Sequence, residues 1–149
     1  MNKFKSLFLA VVIGFAAIAC ESGPSEEEQQ NSLKDEVMEI HDEVMPKMGE
    51  INTLKNELLA NAESLAIDST NVENIEKSNS LKQIATELEE ANKSMMDWMR
   101  NYKPTFDEQT HEEIMQYLED QKVKAGEVKT KILTTIEKAK AKIAEKSEE

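Results

Sequence analysis

One cysteine, four glycines and three prolines are all that the 149 residues contain, and each scarcity narrows what the chain can be. A lone cysteine rules out an intramolecular disulfide. So little glycine and proline, beside 32% charged residues, suits long helices rather than the many turns of a sheet. Aromatic residues are sparse, with a single tryptophan, Trp98, and histidine occurs only as His41 and His111. Positive charge is short as well: 18 Lys and Arg stand against 30 Asp and Glu, a formal charge of −12. A surface this acidic repels phosphate backbones and argues against nucleic acid as a partner. The chain also has no glycine-rich phosphate loop, no C-x-x-C and no H-E-x-x-H. Neither enzymatic activity nor an obligatory cofactor is expected.

The longest apolar run, Leu7–Ala19, has 13 residues and is too short to span a bilayer as a stable helix. Lys3 and Lys5 precede it, so residues 1–19 read as a secretory signal peptide. The run ends Ala17-Ile18-Ala19-Cys20, which resembles a bacterial lipobox. A narrow side chain before the cysteine suits the lipoprotein peptidase, and the Cys20 thiol is the group that receives lipid. Acyl chains at ~0.8 kcal/mol per buried CH₂ would make the anchor effectively permanent. The alternative is an ordinary signal cut near Ala19, with Cys20 a free thiol. Loss of Lys3 and Lys5 with the signal takes the formal charge from −12 to −14. Residues 20–31 read as the lipidated cysteine and a disordered acidic tether. Glu21 is not the aspartate of an inner-membrane retention rule, which points to the outer membrane. Ser25-Glu26-Glu27-Glu28 resembles the acidic export signal of some surface-exposed Bacteroidota lipoproteins; it equally fits a helix N-cap with acids in the first turn.

The remainder reads as all-α: an antiparallel up-down-up three-helix bundle over residues 32–146, with coiled-coil-like heptad seams and a frayed tail at 147–149. The first seam runs Leu33, Val37, Ile40, Val44, Ile51, Leu54, Leu58, Leu65, alternating three and four. Lys47 occupies the seam position between Val44 and Ile51, and Met48 beside it fills the gap. Pro46 lacks a backbone donor, so it kinks this helix and should loosen its methionine-rich end. The helix starts at Ser25 or at Ser32. Thr70-x-x-Glu73 is a capping box for the second helix, whose seam is Leu81, Ile84, Leu88, Ala91, Met95, Trp98, Tyr102. Pro104 ends it. Thr105 and Thr110 are rival starts for the third, with Ile114, Leu118, Gln121, Ala125, Val128 and Ile132 on its seam.

Folding the second helix back about a turn near residue 69 sets His41 level with Trp98. Folding the third back about residue 104 sets Trp98 level with His111 and Met95 level with Met115. Seven of the eight methionines then gather at one end with both histidines. Methionine fills irregular core space beside a tryptophan, which accounts for Met48 and Met95 on or beside the seams. Met38, Met45, Met96 and Met99 lie off the strict seams. Met38, Met45, Met48, Met95, Met96, Met99 and Met115, with His41 and His111, form a candidate soft-metal site. Thioether sulfur and imidazole would take Cu(I) or Ag(I) rather than zinc.

The stretch HDEVMPKMGEI, with ANKSMMDWM at Ala91–Met99, resembles a group of small Bacteroidota lipoproteins that carry the label "viral A-type inclusion protein". The similarity covers roughly Val37–Tyr102 and weakens through the third helix. It implies a secreted helical lipoprotein and adds no catalytic residues. The sequence thus describes a lipid-anchored envelope module without catalysis. It is held to the membrane by its lipid, contacts an envelope protein, and has the Met/His cluster as an alternative function in soft-metal binding.

Overall fold

The structure, a computed structural model, describes residues 23–67 and 70–147. The expected signal peptide at residues 1–19, Cys20, the tip of the turn after Ile67 and the chain beyond Ser147 lie outside the described residues. Helix makes up 86% of the described residues and no strand occurs among them, so the described chain is all-α. The elements are α1 (Glu26–Val44), α2 (Lys47–Ala66), α3 (Val72–Asn101) and α4 (His111–Ser147). The first two are one helix bent by 34°, giving three helical arms.

The first arm begins earlier than a tether ending at residue 31 allows. Ser25 is the N-cap: its hydroxyl accepts from the Glu28 amide at 3.2 Å, and the Glu28 carboxylate accepts from the Ser25 amide at 2.7 Å. This reciprocal pair satisfies two end donors and brings residues 26–31 into the helix, so of the two starts read from the sequence, Ser25 and Ser32, Ser25 is the one used. Donation from the Ser25 amide, and secondarily from its hydroxyl, holds the Glu28 carboxyl below its ordinary value.

The arm breaks where Pro46 removes a donor. The Met45 amide still donates to His41 at 3.0 Å, and the Met48 amide closes a tighter turn onto Met45 at 3.2 Å. The bend does not open this end. Val44 and Met48, on either side of it, are both buried, and Met48 fills the seam beside Lys47 as expected.

Helix α3 is capped differently from the expected Thr70 box. Asn71 is the N-cap, and its side-chain oxygen accepts from the amides of Glu73 and Asn74. Asparagine is as strong a cap as threonine, and its oxygen serves two donors here. The arm stops at Asn101, with Tyr102 extended, ahead of Pro104. Of the two starts proposed for the last arm, Thr110 is the one used: it exchanges bonds with Glu113 in a capping box, at 2.9 and 3.3 Å.

Two apolar clusters form the interior. The larger joins Val37, Val44, Ile51, Leu58, Leu88, Met95, Ala125, Ile132 and their neighbours across all arms. The smaller holds Leu33, Ile114 and Leu118, with Phe106, Met115 and Tyr117 against it. Helix α2 packs on α3, and α4 packs on α1, α2 and α3. The Ser78 hydroxyl donates to the Ala62 carbonyl at 2.8 Å inside the core, joining α2 to α3. Ion pairs run along α4: Lys122 with Glu36, Lys129 with Glu43 and Lys140 with Glu50 on the first arm, Lys138 with Glu87 and Lys131 with Glu90 on α3. Partners on the first arm rise in number along α4, whereas those on α3 fall.

Candidate functional site

His41 lies in the last turn of α1, just before the bend, and Met99 in the last turn of α3. Its Nε2 approaches Met99 Sδ to 3.1 Å, and its Nδ1 lies 2.8 Å from a carboxylate oxygen of Asp42. The His41 side chain is 16% exposed and Asp42 is 73% exposed, so the imidazole sits at a seam edge with its carboxylate partner outside. The Trp98 ring lies 5.8 Å from the imidazole, centroid to centroid, so these two residues stand level as expected from the turn between α2 and α3.

From Trp98 an aromatic series continues through Tyr102 and Tyr117 to Phe106, with centroids 5.3, 6.2 and 5.6 Å apart. It links the larger cluster to the smaller one. Burial, and secondarily the neighbouring Tyr117, pushes the Tyr102 hydroxyl above its ordinary value. The Tyr117 hydroxyl accepts from the Lys103 amide at 2.6 Å and holds the loop after α3 against α4.

The expected Met/His assembly divides. Met45 is half-buried against the larger cluster, where Met99 also packs, and Met48 and Met95 are buried within it. Met96 is exposed. Met38 lines an open surface groove with Asp35, Glu39, Asp42 and Glu43. His111 and Met115 do not reach the level of Trp98 and Met95. His111 Nδ1 lies 2.9 Å from the Gln30 side-chain amide, and Met115 packs on the smaller cluster. The cause is the connection after α3. Residues 102–110 do not turn tightly at Pro104 but lie over the start of α1, where the Lys34 ammonium donates to the Pro104 carbonyl at 3.1 Å. Helix α4 therefore starts beside the first turns of α1, beyond the end of α3.

Asp42 and Gln30, the partners of the two histidines, were not singled out in the sequence. Asp42 carried a weak signal as the carboxylate next to His41, and Gln30 carried none. Among the described residues no three His, Cys, Asp or Glu side chains gather as a metal-binding group. No described helix is long and apolar enough to cross a membrane. The chain matches no protein-family model, no curated protein and no solved structure.

Proposed function

We propose that this protein is a non-enzymatic binding or structural module of the cell envelope, anchored to the outer membrane by lipid on Cys20. The observation that carries this reading is the position of the single cysteine, directly after Ala17-Ile18-Ala19 at the end of the 13-residue apolar run. The Ser25 cap adds a geometric consequence. Only residues 21–24 separate the anchor from the first helix, a reach of roughly 14 Å when extended. The domain therefore stands close to the bilayer on the end that holds Leu33, Phe106 and the start of α4. Its three arms form an antiparallel up-down-up bundle with heptad seams. The opposite ordering of ion pairs from α4 to the first arm and to α3 supports that topology. The resemblance to small helical Bacteroidota lipoproteins agrees with the reading.

Partner contact falls to the outer faces. Two open grooves there are lined largely by carboxylates, Asp35, Glu39, Asp42 and Glu43 beside Met38 and Glu112, Glu113 and Asp120 beside Tyr117, which favours a basic protein surface over a small substrate. Glu26 and Glu27 stay exposed in the first turn and remain readable as a surface-export tag. The test is metabolic labelling with a palmitate analogue. The wild-type chain takes up label and Cys20→Ser does not; equal labelling of the two removes the anchor from the account.

A second reading, soft-metal binding, is favoured by one observation: the approach of His41 Nε2 to Met99 Sδ. In this reading the module holds Cu(I) or Ag(I) outside the cytoplasm.

A further inference from the structure

Resting on that second reading, we propose that the metal site consists of His41 Nε2 and Met99 Sδ, with Asp42 behind the imidazole and Trp98 beside it. The remaining candidate donors serve as packing or surface residues. The ring contacts set the tautomer. An ionised carboxylate only accepts, so in a singly protonated imidazole the proton belongs on Nδ1, 2.8 Å from Asp42. In the doubly protonated ring Nε2 donates to the Met99 sulfur at 3.1 Å; in the singly protonated ring it carries a lone pair toward that sulfur instead. Two soft donors converge without satisfying each other, and a soft cation completes the arrangement. A carboxylate on the far nitrogen of a ligating histidine fixes the ring and raises its basicity, which is the role Asp42 would play.

The dimensions require a small adjustment. At the distances zinc takes from imidazole and thiolate, ~2.0 and ~2.3 Å, two donors roughly 120° apart stand ~3.7 Å from each other, and a larger ion such as Ag(I) needs no less. Met99 has three rotatable side-chain bonds and is half-buried, so its sulfur can withdraw by that amount. Met45, one turn beyond His41, is half-buried against the same cluster and serves as packing beside the site. The Trp98 face, 5.8 Å from the imidazole, adds attraction for a monovalent cation. The imidazole edge is open to solvent, which gives the ion a route in. His111 takes no part, because its ring nitrogen is engaged by Gln30 at the other cluster.

Ag(I) tests this without redox chemistry. The probe is silver nitrate, added to the full chain in nonionic detergent with Cys20→Ser to remove the one thiol. Equilibrium dialysis measures bound silver, and emission from Trp98, the single tryptophan, reports where it binds. One equivalent should bind and quench Trp98. His41→Gln and Met99→Leu should each weaken binding about tenfold or more, with Met96→Leu unchanged. Met99→Leu conserves volume, so it keeps the test sound if His41→Gln disturbs the helix. No silver retained at micromolar concentrations would remove the soft-metal reading and this site with it. Silver retained with unchanged affinity in both variants would overturn the site while leaving the reading in place.

Discussion

Trp98 and Tyr102 stack with ring centroids 5.3 Å apart, and the indole nitrogen of one and the hydroxyl of the other are both buried without a hydrogen-bond partner among the described residues. Such groups cost about 1–3 kcal/mol each in lost hydration. They sit where the large apolar cluster meets the small one, so the rings join the two parts of the interior at the expense of two polar atoms.

Tyr102→Phe removes one of these atoms and keeps the ring. Stability in urea should stay level or rise by up to about 1 kcal/mol. A loss beyond that would mean the hydroxyl has a partner that supports the fold.

Pro46→Ala restores a backbone donor at the bend, but Val44 and Met48 are buried on either side of it. Packing, rather than the missing donor alone, holds the angle. The substitution should therefore leave the bend in place and cost about 0.4–1 kcal/mol, because alanine gives the unfolded chain more freedom. A clear gain in stability, with more helix by circular dichroism, would show instead that the proline strains the arm.

Much of this was legible in the sequence, and the failures share one cause. The seams named the core from Leu33 through Leu58 and from Leu81 through Trp98, because apolar spacing is a local property of each helix. The level of His41 with Trp98 was also legible, since α2 and α3 are joined by a short turn. The level of His111 was not. Residues 102–110 run over α1 before α4 begins, and no local pattern encodes how far a loop travels. Ser78 and Thr135 escaped the seams because polar side chains satisfied within the core look like surface residues. Thr70 and Asn71 offered neighbouring caps, and which side chain reaches the free amides depends on a backbone angle that composition does not specify.

Lys140 holds the Glu50 carboxyl below its usual range, chiefly through a side-chain hydrogen bond, and Lys47 adds to it. A carboxyl depressed by folding contributes stability above its unfolded value of 4.5, and that contribution fades as pH falls through the lower folded value. Glu50→Gln should therefore melt earlier than the wild type at neutral pH. The gap should close as the buffer is brought to about pH 3. A gap that persists there would assign the effect to packing rather than charge.

The anchor on Cys20 is the central claim, and mass spectrometry of the mature N-terminus tests it most directly. Protein extracted from membranes in detergent should yield a first peptide that begins at Cys20 and carries a diacylglyceryl group on its sulfur. A mature chain beginning at any other residue, or at Cys20 with a free thiol, would contradict the account.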